Sequence, residues 1–108
     1  MSVLDTNLII EKIKKKEEIH ENVTEISVLE FPPILKYRKF SGKIYLVERR
    51  DFDLALKLQV KLRKAGMQKA VPDLLIASIC INRNEELITR DEDFLDIAKV
   101  SDLKVKLI

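Results

Sequence analysis

Three short apolar stretches in this chain each run into a carboxylate and then into a segment with helical spacing. Ser2-Val3-Leu4 leads to Asp5, the stretch through Ile26 leads to Glu30, and Leu87-Ile88-Thr89 leads to Asp91. This repetition constrains the fold more than any other feature. Strands alternating with helices specify an α/β sandwich with a parallel sheet. In such a sheet the residues that follow the strands lie along one edge, where open α/β folds bind ligands. Acids far apart in sequence are therefore expected to converge.

The remaining segments fit the same architecture. Thr6 and Asn7 are cap-type residues, with Leu8, Ile9 and Ile13 at helical spacing behind them. Val23 to Ser27 reads as a second strand, and Ser27 with Glu30 matches a capping box. Pro32 and Pro33 then predict a broken helix, with Ile34, Leu35, Tyr37 and Phe40 packing inward before Gly42. Lys43 to Val47 predicts a third strand. From Asp51 to Ala65 the apolar positions Phe52, Ala55, Leu58 and Leu62 alternate with Lys57, Lys61 and Lys64 on the opposite face, and Gly66 is the stop. Pro72 and Asp73 open a helix running to about Asn82, apolar almost all round and so expected to be buried. Glu86–Thr89 predicts a strand, Asp91–Lys99 a helix with Phe94, Leu95 and Ile97 inside, and Leu103–Leu107 a last strand. The expected fold is a single domain, residues 1–108, with a mostly parallel sheet of four or five strands between helical layers.

Composition excludes several functions. The two glycines, Gly42 and Gly66, are isolated, which argues against a phosphate-cradling loop of the P-loop or dinucleotide-binding kind. One cysteine, Cys80, permits neither an internal disulfide nor a multi-cysteine zinc site. The single histidine, His20, lies among charged residues and is expected on the surface, which leaves no histidine pair for catalysis. Cys80 belongs to an apolar helix and is expected to be inert packing. Tyr37, Phe40, Tyr45 and Phe52 sit mostly at core spacing rather than as a base-stacking platform. No apolar run is long enough for a membrane span and no basic leader precedes Val3, so a cytoplasmic protein is expected. Abundant Lys, Glu and Ile beside two glutamines point to a thermophilic source.

Charge is unevenly distributed. Residues 1–33 carry net −3, residues 34–70 net +8 and residues 71–108 net −3, within an overall +2. Acids occupy the two ends and cations the middle. Taken singly, Asp5, Asp73 and Asp91 could each be a helix N-cap and Glu30 the partner of Ser27. Their occurrence at equivalent strand–helix junctions favours a shared site. Several carboxylates in close proximity raise one another's pKa unless a cation neutralises them. Mg²⁺ and Mn²⁺ are the cations that prefer oxygen ligands and bridge to phosphates.

The opening Val-Leu-Asp-Thr-Asn-Leu-Ile-Ile, together with Pro-Asp-Leu-Leu-Ile-Ala-Ser-Ile (72–79) and Leu-Ile-Thr-Arg-Asp-Glu-Asp-Phe (87–94), resembles the PIN-domain signature. Ile-Ser-Val-Leu-Glu-Phe (26–31) is similar to the family's second acidic motif, more loosely. Within the family the chain is most similar to VapC-type toxins. The resemblance implies a PIN-like three-layer fold and a Mg²⁺- or Mn²⁺-dependent endoribonuclease. By that resemblance Asp5, Glu30, Asp73 and Asp91 would be catalytic, and Asp5, Asp73, Asp91 and Asp93 would hold metal. Thr6, Asn7 and Thr89 would orient the carboxylates. It also implies an antitoxin partner and leaves a homodimer open. The chain is shorter than most relatives between the second and third acids, so Glu25 is the other candidate for the second acid. Lys57, Lys61 and Lys64 are the expected RNA-backbone contacts. Competing expectations are a truncated PIN-like module that binds RNA or protein without cutting, and another magnesium-dependent α/β protein such as a phosphatase or receiver domain. The phosphatase is disfavoured because Asn7 stands where an Asp-x-Asp motif needs its second acid.

Overall fold

The computed structural model describes all 108 residues. Strand β1 (Ser2–Leu4) is followed by α1 (Thr6–Lys14), β2 (Val23–Thr24) and α2 (Glu25–Glu30). A 3-10 turn (Pro32–Lys36), β3 (Ile44–Tyr45), α3 (Arg49–Lys64) and α4 (Val71–Asn82) come next, then β4 (Glu86–Thr89), α5 (Asp93–Lys99) and β5 (Lys104–Leu107). β1 pairs parallel with β4, which pairs parallel with β5. β2 pairs parallel with β3. A parallel bridge between Val3 and Asn22 joins the two groups, through Leu4 N–H to Asn22 O and Asn22 N–H to Ser2 O, both 2.9 Å. The strand order is therefore β3-β2-β1-β4-β5, with β1 in the centre.

Alternation along the short strands builds the layers. Successive side chains on a strand point to opposite faces. Val3 and Leu87 accordingly pack with Leu58 and Leu62 of α3, Ile76 and Ala77 of α4, and Phe94 and Ile97 of α5. Leu4 packs on the other face with Leu8 and Ile9 of α1, Ile19, Val23 and Ile34. The result is a three-layer α/β sandwich. α4 is buried on most sides, as its apolar sequence requires, and its Ser78 hydroxyl is satisfied by donating to Leu74 O at 2.7 Å. Gly42 passes so close to the backbone of Glu21 that a Cβ would lie 2.0 Å from its carbonyl oxygen. Gly66 closes α3 with φ +72°, where a side chain would be strained.

Local expectations needed correction at several places, among them the third strand, which spans Ile44–Tyr45 rather than Lys43–Val47. The second strand ends at Thr24 instead of Ser27, because the Thr24 side chain accepts Ser27 N–H (3.2 Å) and caps α2 three residues earlier than the Ser27–Glu30 box would. Glu30 is thus the last residue of α2 rather than a first-turn residue. Pro32 explains the stop, since the residue before a proline disfavours helical geometry and Phe31 has φ −142°, ψ 77°. Leu35, Phe52 and Leu95 are exposed rather than packed inward, so Ile34, Ala55 and Phe94 carry the burial of those segments. The helix expected from Asp91 starts at Asp93.

The sequence also concealed an ionic lock between α3 and α4. Asp51 is fully buried and accepts two bonds from the Arg83 guanidinium, one from Asn82 and one from Glu48 N–H. Burial alone would raise its pKa, but Arg83, Asn82 and the Glu48 amide hold it below the ordinary value. No helix is long and apolar enough to cross a membrane.

Candidate metal centre

The acids are brought together at the carboxyl edge of the central strands. Asp5 follows β1 and is the N-cap of α1. Its carboxylate accepts Thr6 N–H at 2.8 Å and the Thr89 hydroxyl at 2.7 Å. Thr89, the last residue of β4, also accepts Asp91 N–H at 2.9 Å, so one buried hydroxyl links two of the acids. Asp91 in turn accepts Asp93 N–H at 2.9 Å, which sets the first turn of α5. Asp73 enters from the first turn of α4. One carboxylate oxygen from each of Asp73, Asp91 and Asp93 lies within 4.8 Å of the others.

Glu30 reaches the same edge from the C-terminus of α2. Thr6 donates its hydroxyl to Glu30 at 2.7 Å and lies 2.7 Å from the Ser27 hydroxyl. Thr6 has one hydroxyl hydrogen and gives it to Glu30, so Ser27 is the donor in the second bond. Ser27, Thr6 and Glu30 thus form a directed relay. Glu25 is placed elsewhere, accepting Val47 N–H beside β3.

The electrostatics report the crowding. Asp73 is pushed from its ordinary 3.8 up to about 6, first by burial and then by the charges of Asp91, Asp5, Asp93 and Glu30. Burial also raises Asp5, while its bonds from Thr89 and Thr6 pull it back and the charges of Asp91 and Glu30 push it further up. The donor set is wholly oxygen, with no histidine or thiol among its members. That chemistry fits a hard divalent cation of the Mg²⁺ or Mn²⁺ class, which would relieve the repulsion.

The other candidates separate clearly. Thr6 and Thr89 make the orienting bonds expected of them, whereas Asn7 is exposed on the first turn of α1 and its side chain bonds to no carboxylate. Arg90, in the Thr-Arg-Asp motif, turns away and pairs with Glu11. His20 is a surface residue bonded to Ser41 and Glu18. Cys80 is buried, and burial pushes its thiol pKa up. Lys57, Lys61 and Lys64 are all exposed along α3. Sequence reasoning gave no role to Lys69, which lies against Asp93 and Asp96. Nothing local marks it, because its partners are 24 and 27 residues away.

No curated protein sequence matches the chain. Among solved structures, DNA-bound VapBC from Salmonella typhimurium superposes with a TM-score of 0.79 at 16% identity, covering 98% of both chains. FitAcB from Neisseria gonorrhoeae gives 0.77 at 19% identity, covering 97% of this chain and 96% of the other. A toxin-antitoxin complex from Klebsiella pneumoniae gives 0.67 at 16%, covering 87% and 90%. At these identities the likeness is one of fold. The sequence model of the PIN domain matches residues 34–100, a span that includes Asp73, Asp91 and Asp93 and leaves Asp5 and Glu30 before it. By this match over more than half its length, on a parallel sandwich of the same architecture, the chain belongs to the PIN-domain family.

Proposed function

We propose that this protein is an endoribonuclease that cuts RNA phosphodiesters with Mg²⁺ or Mn²⁺ at the carboxylate cluster. The observation that carries the reading is the convergence of Asp73, Asp91 and Asp93, with one carboxylate oxygen of each within 4.8 Å of the others. Burial and the charges of Asp91, Asp5, Asp93 and Glu30 together raise the Asp73 pKa. Such repulsion costs stability in the empty site, and a bound divalent cation would relieve it. Asp5, Asp73, Asp91 and Asp93 are the proposed metal ligands, and Glu30 is the acid at the rim. A bound divalent ion supplies charge neutralisation at phosphate and lowers the pKa of a water.

The chain's own groups do the positioning. Thr89 fixes the Asp5 carboxylate and the Asp91 backbone relative to each other, and Thr6 holds Glu30. Fixed partners of this kind keep ligand oxygens in place before the ion arrives. The exposed lysines 57, 61 and 64 are proposed to hold the RNA backbone. Because two of the similar folds come from structures of VapBC and a toxin-antitoxin complex, we extend the proposal to a toxin role with an antitoxin partner.

The test is incubation of a mixed RNA pool with the protein and Mg²⁺, Mn²⁺ or EDTA. Internal cleavage with either metal and none with EDTA is the expected outcome. Tight RNA binding without cleavage under all three conditions would replace the nuclease with a binding module.

A further inference from the structure

Among Asp5, Glu30, Asp73, Asp91 and Asp93, only Asp93 has an ion-pair partner, and that partner is Lys69. Its Nζ is 2.7 Å from Asp96 Oδ2 and 3.4 Å from Asp93 Oδ1. The ammonium is thus anchored on Asp96 and leans over Asp93. The side chain is only 10% exposed, which is unusual for a lysine.

The placement is built from behind. Lys69 lies in the connection between α3 and α4, and the side-chain amide of Gln59 clamps its backbone. Gln59 Oε1 accepts Lys69 N–H at 3.1 Å, and Gln59 Nε2 donates to Lys69 O at 2.7 Å. Ordering a long cationic side chain and its loop carries a substantial entropic cost. A simple tie between the connection and α5 would be complete with Asp96 alone. The second contact, to Asp93, brings the charge to the cluster.

Five carboxylates offer enough charge for two divalent ions, and two-ion centres are common in phosphodiester chemistry. At the Asp93 side, however, a positive charge is already in place. It needs no octahedral shell, and from 3.4 Å it would repel a second divalent ion on the same Asp93 carboxylate. We infer that Lys69 takes the place of a second divalent cation beside Asp93, so that the centre holds one ion. This inference rests on the metal-centre reading and specifies its stoichiometry. Lys69 is in this role a positioning residue, acting through Asp93.

The experiment is titration of the full chain with Mn²⁺ alone, followed by calorimetry and by electron paramagnetic resonance. Wild type should bind one Mn²⁺ and give an uncoupled mononuclear spectrum. Lys69→Met should bind a second Mn²⁺ about tenfold or more tightly than wild type does, with a spin-coupled signal as the second equivalent is added. Lys69→Arg, which keeps the charge, should behave as wild type. Lys69→Gln, which keeps a donor to Asp96, gives the same test as Lys69→Met should that variant fail to fold. Two ions of similar affinity in wild type, or a single ion in every neutral variant, would overturn the inference and leave the metal centre standing. Absence of Mn²⁺ binding in wild type would instead overturn the metal centre itself, and this inference with it.

Discussion

Thr89 donates its hydroxyl to the Asp5 carboxylate at 2.7 Å, tying the end of β4 to the end of β1 across 84 residues of sequence. The same oxygen accepts Asp91 N–H. Thr89→Val keeps the shape and removes both bonds, and should cost about 1–3 kcal/mol of stability. Because the Thr89 bond is the largest influence lowering the Asp5 pKa, the variant should titrate Asp5 at higher pH. Carboxyl-resolved NMR titration checks this, and Thr89→Ser should restore the wild-type value.

Asp73 predicts a pH-dependent stability with a definite sign. Its folded pKa of about 6 lies above the ordinary 3.8, so the native state binds more protons between these values. This group's contribution therefore falls as pH rises through that window, and the loss is complete above about 6. Asp73→Asn removes the effect. In the absence of metal it should be more stable than wild type at pH 7.5 by roughly 1–2 kcal/mol, with the advantage gone near pH 4. Asp73→Asn, like Asp5→Asn and Asp91→Asn, should also lose RNA cleavage. An equal advantage at both pH values would show that ionisation of Asp73 is not its source.

Divalent ions should raise the melting temperature, because they bind the assembled carboxylates and not the unfolded chain. At one hundred times the dissociation constant the gain is about 2.7 kcal/mol. Millimolar Mg²⁺ or Mn²⁺ in a thermal melt should show it, and Asp91→Asn should lose most of it. Indifference of the wild-type melt to both ions would favour a non-catalytic module.

Glu30 and Glu25 differ in what they touch, so their variants should diverge. Glu30 accepts the Thr6 hydroxyl beside the Asp5 turn, and Glu30→Gln should lose most cleavage. Glu25 accepts Val47 N–H, and Glu25→Gln should cleave like wild type. Full activity in Glu30→Gln would take Glu30 out of the proposed centre.

Lys57, Lys61 and Lys64 are exposed on one helix, at the three- and four-residue spacing that makes a stripe. Each phosphate contact on a single strand contributes a salt slope of about −0.7. Replacing all three with glutamine should weaken binding across unrelated RNA sequences and flatten the slope by about two units. Metal-induced stabilisation should stay the same. An unchanged slope would leave the stripe a solubility feature.

The sequence alone determined the strand–acid–helix junctions at Asp5 and Asp91, the buried α4 and the exposed lysine stripe. These follow from periodicity and capping, which act within a few residues and are written locally. The choice between two overlapping caps around Thr24 and Ser27 was also local, yet it was decided by what α2 met. With Pro32 ending the helix, starting at Thr24 lets Glu30 reach Thr6. Exposure of Leu35, Phe52 and Leu95 could not be foreseen, because periodicity ranks faces but not how far a neighbouring element covers them. The meeting of Asp73 with Asp5, Asp91 and Asp93, and of Lys69 with Asp93, belongs wholly to the tertiary structure. Charge interactions depend on distance in space, and only the β3-β2-β1-β4-β5 order, with β1 beside β4, turns residues dozens of positions apart into neighbours.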